Sequence, residues 1–544
     1  MGLITMPQDS EHAHRGVGLN PERVRTAEVI GALSLATDLG IGVPLEHGLH
    51  SAIVSARLSE RLGVDAETAM HAYYASLLFY VGCTANMEIA DDVFGGHAAL
   101  TTYGTRVRFG SRPQMVGGLL KAVAPPGGAP LLRARQLAYR VPKLARAFKG
   151  QVAALCEVAQ MLTERLGLPD GVGALFAQID ERWDGKGAPV GVRRDDIQLG
   201  VRIAQVARDA AFQSMLGGPQ LAAQVIGERA GHAFDPAVAN RLVDEATEIL
   251  ALDQAASSWE EALASEPTAL TLEGDAIDRA LAAMGDFADL ISPFFAGHSS
   301  RVAGVARAAG ERLKLDDAEI KVITRAGFVH DIGRVAVPTT IWRRAEPLTP
   351  DERERVRLHA YHSERILIHS PFLASLSLIA TSHHERLDGS GYHRGATAPS
   401  LDRGSRLLAA ADAYSSIVEP RPHREALPPQ QAGEILAGEA REGRLDAEAV
   451  AAVLDVSGQP AGRIERPAGL TEREAEVVGL LARGLQTKQV ARALGISIKT
   501  ADRHIQNAYT KIGISSRAAA TLFAMEHGLL AWGELPMSRR IDHS

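Results

Sequence analysis

The stretch SHHERLDGSGYH, residues 382–393, has an earlier counterpart in IDERWDGKGAP, residues 179–189. Each runs from a glutamate and an arginine into a turn of the form Asp-Gly-x-Gly, where glycine makes tight backbone easy and the aspartate caps the turn. Only the later version places two histidines, His383 and His384, in front. Working outward, the likeness continues. SERLGVDAE (59–67) lies over GERLKLDDAE (310–319), ASLLFYVG (75–82) over AGFVHDIG (326–333), and GVRIAQVARDA (200–210) over GSRLLAAADAY (404–414). Matches in one order imply a divergent internal duplication, with a period far longer than that of a solenoid repeat.

The surrounding pattern is helical. LHSAIVSARLSERLG (49–63), RVAGVARAAGERLKL (301–315) and DAEIKVITRAGFVHDIG (317–333) repeat apolar residues at three- and four-residue spacing. No run alternates long enough to suggest a sheet, so the expected class is all-α. At 544 residues the chain exceeds a single core. The predicted divisions are an N-terminal segment (1–34), a first copy (35–255), a linker (256–274), a second copy (275–457), a linker (458–468), a C-terminal module (469–531) and a tail (532–544).

Bulk properties exclude several classes. A net charge of −7 gives no general affinity for nucleic acid. Two cysteines, Cys83 and Cys156, make neither a disulfide framework nor a zinc–thiolate set, and they suit a reducing cytoplasm. The first residues lack a basic region followed by an apolar run, so no signal peptide is expected. The uncharged stretch 69–87 carries His71, Ser76, Thr84 and Asn86 and has no basic flank. It reads as a buried helix rather than a membrane span.

In the second copy, His298, His330, Asp331, His359, His383, His384 and Asp412 interrupt apolar or small-residue helical stretches. A buried, unpaired polar group is costly. A shared metal satisfies all seven at once. Nitrogen and carboxylate donors without thiolate suit iron, manganese or zinc. An aspartate beside a histidine can bridge two ions, and such pairs activate water and clamp phosphoryl oxygens.

With GHSSRV, HDIGR, His359, HHERLDGSGY and AADAY followed by RPHR, residues 275–457 resemble the HD-GYP family of metal-dependent phosphohydrolases. The resemblance implies an all-helical fold and two divalent ions held by those seven residues, with Asp331 bridging and iron or manganese the expected metals. It implies hydrolysis of cyclic di-GMP to a linear dinucleotide or GMP. Asp331 and Arg334 take catalytic roles on this reading, and Arg334, Arg421 and Arg424 bind substrate phosphate. This sequence departs from the family in having His393 where the signature has proline and Arg334 where lysine is usual. SPFFAG, ahead of His298, offers no acid for a third metal.

Mapped back, His47 matches His298, but Phe79 and Tyr80 replace His330 and Asp331. Ile179 and Asp180 replace His383 and His384, and Arg208 replaces Asp412. The first copy is therefore expected to keep the scaffold, bind no metal, and either pack on the second copy or sense a ligand.

Residues 470–530 begin with Thr471 and Glu474 spaced as a capping box. A short helix from Lys488 to Leu494, a Gly-Ile-Ser turn capped by Ser497 and a helix over 498–511 follow. Helix, turn and a second helix bearing basic and amide side chains is the layout of a major-groove reader. The stretch resembles the LuxR-type DNA-binding domain, a four-helix unit that usually binds as a dimer. The expected DNA contacts are Lys488, Lys499, Thr500, Arg503, His504, Asn507 and Lys511.

The sequence thus predicts a cytoplasmic homodimer without a membrane segment, in which a cyclic dinucleotide phosphodiesterase is joined to a DNA-binding regulator. The alternatives are a transcription factor whose metal site senses a nucleotide without efficient turnover, and a phosphohydrolase for another nucleotide or a phosphomonoester.

Overall fold

The computed structural model of the chain describes residues 22–86, 109–110, 112–124, 126, 130–253, 255–458 and 467–530. Helices dominate. The sheet among the described residues is one antiparallel pair of strands, β1 (Arg23–Arg25) and β2 (Thr271–Glu273), with Val24 opposite Leu272. Three residues are too few to display a period of two, so the sequence pattern hides this clasp.

The first copy is built on α1 (Thr26–Ile41), α2 (His47–Leu62), α3 (Ala66–Leu77), α4 (Arg112–Val123), α5 (Pro130–Arg165) and α6 (Leu199–Arg229). A short helix, α7 (Ser258–Ala264), leads into the second copy. That copy holds α8 (Asp275–Asp289), α9 (His298–Arg312), α10 (Asp317–Val329), α11 (Pro350–Leu367), α12 (Pro371–Thr381) and α13 (Arg403–Val418).

The duplication is visible in local detail. Helices α2 and α9 each start at a histidine that follows a left-handed residue, Glu46 or Gly297. A buried aspartate caps the first turn in both: Asp38 accepts from Gly48 N–H at 3.1 Å, and Asp289 accepts from Ser299 N–H at 2.8 Å. Gly185 and Gly389 have φ of 73° and 80°. A Cβ at Gly187 or Gly391 would come within 2.5 Å of the Arg182 or Arg386 backbone nitrogen. The glycine turn therefore belongs to the scaffold and recurs with or without the paired histidines.

One apolar core runs through both copies, from Leu33, Ile53 and Val206 to Met284, Phe287 and Leu408. Helix α1 packs on α2 and α3 and also on α11 and the 3-10 turn Ile332–Ala336 of the second copy. The predicted boundary at 34/35 cuts through this helix. The predicted linker 256–274 is not a free tether either. Ser257 and Glu260 form a capping box, Trp259 is buried, Glu261 holds Arg57, and Glu266 holds Arg25 and Tyr74. Its polar composition looked loose because its acids find their partners more than 190 residues away.

The uncharged stretch 69–86 forms most of α3 and the 3-10 turn Val81–Asn86; Met87 lies outside the described residues. Among the described residues no helix is long and apolar enough to cross a membrane. Residues 1–21, 459–466 and 531–544, in the predicted N-terminal segment, second linker and tail, also lie outside the described residues.

The C-terminal unit comprises α14 (Glu472–Ala482), α15 (Thr487–Ala493), α16 (Ile498–Ile512) and α17 (Arg517–Glu526). Thr471 and Glu474 form the expected capping box, and Ser497 caps α16. Helix α17 packs on α5, and the added Cβ position of Gly484 lies 3.0 Å from Pro293.

Candidate metal centre

The seven predicted ligands converge from five helices and the turns that follow them. They form two groups: His298, His330, Asp331 and Asp412, then His359, His383 and His384. Asp331 faces both. Its Oδ2 lies 2.8 Å from His330 Nε2 and 3.4 Å from His298 Nε2. Its Oδ1 lies 3.1 Å from His359 Nε2 and 3.4 Å from His383 Nε2. Asp412 reaches His298 Nε2 at 3.2 Å and His384 Nδ1 at 3.8 Å. His384, with 19% of its side chain exposed, marks the open side.

Hydrogen bonding aims the rings. Nδ1 of His330 and of His383 meets the carbonyls of Gly327 and Ala380 at 2.8 and 2.7 Å, and Nδ1 of His359 meets that of Val356. An Nδ1–H donated outward leaves an Nε2 lone pair pointing inward, the tautomer that a metal takes. His298 Nε2, His330 Nε2 and both oxygens of Asp331 are buried without a hydrogen-bond partner. Such a cluster of orphaned acceptors fits a cation. Burial pushes the Asp331 carboxyl up, but Arg334 and the surrounding histidines more than offset this and hold it well below the usual carboxylate range.

Residues 283–449 match the family model described as HD domain, and residues 468–524 match that of bacterial regulatory proteins, luxR family. The chain carries an HD domain followed by a LuxR-type domain. It is 26% identical to the 3'3'-cGAMP-specific phosphodiesterase 3 of Vibrio cholerae, over 74% of this chain and 88% of that protein. It is 34% identical to the cyclic di-GMP phosphodiesterase response regulator RpfG of Xanthomonas campestris, over 23% of this chain and only 34% of that protein. The crystal structure of a V. cholerae cyclic GMP-AMP-specific phosphodiesterase aligns with a TM-score of 0.55 at 21% identity. It covers 80% of this chain and 99% of its own, so the shared fold extends beyond the HD domain.

Two residues that the sequence reading missed support the HD-domain site. Glu419 is buried and takes His298 Nδ1 at 2.8 Å, while Arg301 and Arg421 hold its carboxylate at 3.0 and 3.1 Å. Burial pushes its pKa up, but His298 and the arginines bring it down to about 2. Asp289 caps α9 and lies 3.8 Å from Arg334; burial lifts its pKa to about 8. Neither showed in the sequence, because Glu419 meets His298 across 121 residues and no local periodicity marks it. Glu419→Gln keeps the shape but weakens the hold on His298. Manganese affinity should fall by about 10–100-fold in calorimetric titration, with helix content unchanged.

The three predicted phosphate-binding arginines part company. Arg334 stands at the centre, paired with Asp331 and 4.3 Å over the Phe295 ring, and its Nε and Nη1 are buried without an acceptor. Arg421 gives Nη1 to Phe294 O at 2.8 Å and leans on Phe295. Arg424 is a correction: its donors go to the carbonyls of Ser416, Ile417, Glu419 and Glu425. It braces the loop after α13 instead of facing the site.

The first copy fills the equivalent space. Arg208, 1% exposed, donates to Tyr80 Oη at 3.0 Å and stacks 4.8 Å from Phe79 and 4.4 Å from Phe109. His47 keeps its place, but its Nε2 meets Arg208 O at 3.0 Å, and burial pushes its pKa down to about 3. A guanidinium thus stands where the HD domain has Asp412.

In the LuxR-type domain, Ala501, Ile505 and Ala508 of α16 are buried. Lys499, Arg503 and Asn507 are exposed on that helix, with Thr500 and His504 partly so, and Lys488 is exposed on α15. Lys511 is turned away: its ammonium binds Glu474 at 2.7 Å and Gly469 O at 3.1 Å, tying α16 to α14. Helical spacing puts it on the face of the expected contacts, and only the fold brings Glu474 at the start of α14 to it. Arg503→Ala should weaken binding to a selected duplex by about 1–3 kcal/mol, while Lys511→Ala leaves it within a factor of two. Fluorescence anisotropy reads both.

Proposed function

We propose that this chain is a metal-dependent phosphodiesterase for cyclic dinucleotides, joined to a DNA-binding regulator. The observation that carries this reading is the placement of Asp331, one oxygen toward each group of histidines. His298, His330, Asp331 and Asp412 would hold one divalent ion. His359, His383, His384 and the other oxygen of Asp331 would hold a second, and iron or manganese suits the donors. Bound there, such ions supply Lewis acidity toward phosphoryl oxygens. The chain's own residues do the rest. Arg334 offers unfilled donors to an anionic group beside the histidines. Tyr392, its ring 4.6 Å from that of His384, forms a wall next to the exposed ligand. His393, in the position of the signature proline, is held by Glu364 at 2.9 Å, which fixes the loop through a side chain.

The relatives are named for action on 3'3'-cGAMP and on cyclic di-GMP, so the class they share is the cyclic dinucleotide. The reading extends to a cytoplasmic homodimer that uses residues 469–531 on DNA. The test loads the protein with manganese, incubates it with each dinucleotide in parallel, and follows products by chromatography. Multiple turnovers support the enzyme. Binding without turnover supports a nucleotide-sensing transcription factor, and inertness toward both leaves another phosphate ester as the substrate.

A further inference from the structure

Between residues 112 and 156 the chain carries eight lysines and arginines and no aspartate or glutamate, although its formal net charge is −7. This stretch forms α4 and the first three quarters of α5. Lys121 and Arg135 are exposed, and Arg133 and Arg140 are partly so. Leu131 is 87% and Tyr139 63% exposed beside them, so the start of α5 leaves the core and presents a basic face, with Arg140 bonded to Val123 O at 2.9 Å. The other end of the same helix is engaged. It packs on α17 of the LuxR-type domain, and Glu157 accepts from Ser515 N–H. It also crosses to the second copy, where Arg165 meets Asp286 at 2.6 Å.

We infer that α4 and the first half of α5 form a second DNA-binding surface, which contacts phosphates flanking the duplex held by the LuxR-type domain. This rests on the proposal that the domain binds DNA. Two observations choose the occupant. Cations without interspersed acids match a polyanion and carry no sequence reading of their own. The helix also starts from the DNA-binding unit itself. From Glu157 to Leu131 it rises about 39 Å at about 1.5 Å per residue. The contact with the LuxR-type domain and the basic face thus lie toward the two ends of one helix. An anionic membrane is the other surface that basic and apolar residues could share, but the contact of α5 with the LuxR-type domain favours DNA.

The test compares the full chain with a variant combining Lys121→Gln, Arg133→Gln, Arg135→Gln and Arg140→Gln. Each binds a 40-base-pair mixed-sequence duplex and a 15-base-pair duplex across a salt series. An Arg503→Ala chain reports on the LuxR-type domain alone. The unmodified chain should prefer the long duplex. The variant should lose that preference and flatten the slope of log K against log salt by about 3.6, since each of the four released phosphate contacts contributes about 0.9. Unchanged slope and preference would overturn the inference. So would an unchanged DNA slope with lost binding to phosphatidylserine vesicles, which would assign the face to a membrane. If the unmodified chain binds neither duplex, the DNA-binding reading itself has failed. Equal helix content and equal manganese uptake establish that the variant folds.

Discussion

Asp331→Ala is expected to remove metal binding and turnover together. Manganese should raise the melting temperature of the unmodified chain, because an ion at about 100 times its Kd adds about 2.7 kcal/mol to the folded state. The variant should show no shift. Asp331 turns one oxygen toward each group of histidines, so on the proposed reading one truncation disables both. Losing several kcal/mol of charge stabilisation at the phosphoryl group corresponds to a fall of about three orders of magnitude in rate or more. Differential scanning fluorimetry and the chromatographic assay read the two effects. A variant that still gains stability from manganese would show that Asp331 is not shared between the groups.

The legibility of this site has a physical basis. His330 and Asp331 stand out because they follow an apolar helix where another apolar residue belongs, and His383 and His384 because two adjacent imidazoles have no structural use. Glu419 and Asp289 stayed hidden because an acid near a helix end is ordinary in sequence, and only the fold brings it to His298 or Arg334. Arg424 was misplaced for the converse reason. Its position after Asp412 suited a phosphate ligand, and the backbone carbonyls that occupy it cannot be read from side-chain types. The helical class was plain from periodicity. The clasp of β1 and β2 and the packed segment 256–274 were not, since both depend on partners more than a hundred residues away.

The second large effect concerns the first copy. Arg208→Ala should cost about 3–5 kcal/mol of stability, the range for breaking a buried charged network. The guanidinium sits 3.5 Å from Asp209, bonds Tyr80 and lies between two phenylalanine rings, so its removal leaves both a void and unpaired polar groups. Urea unfolding measures the loss, and turnover per folded molecule should stay within about twofold. Arg208→Asp restores the ligand type of the active copy but should add no metal, since Tyr80 and Ile179 still occupy the other positions. Mass spectrometry should count two ions per chain in this variant as in the unmodified protein. A third or fourth ion would show that the first copy retains a latent site.

The clasp between β1 and β2 bears on what the first copy does for the second. Its two strands flank the first copy on either side, and α1, which follows β1 directly, lies against the turn that carries Asp331's neighbours in the second. Val29, Ile30, Leu33 and Ala36 of that helix are almost wholly buried. A deletion that discarded the disused half would therefore strip an apolar flank from the working half. The two halves are thus one folding unit, and the half without the clustered histidines is a wall of the half that has them.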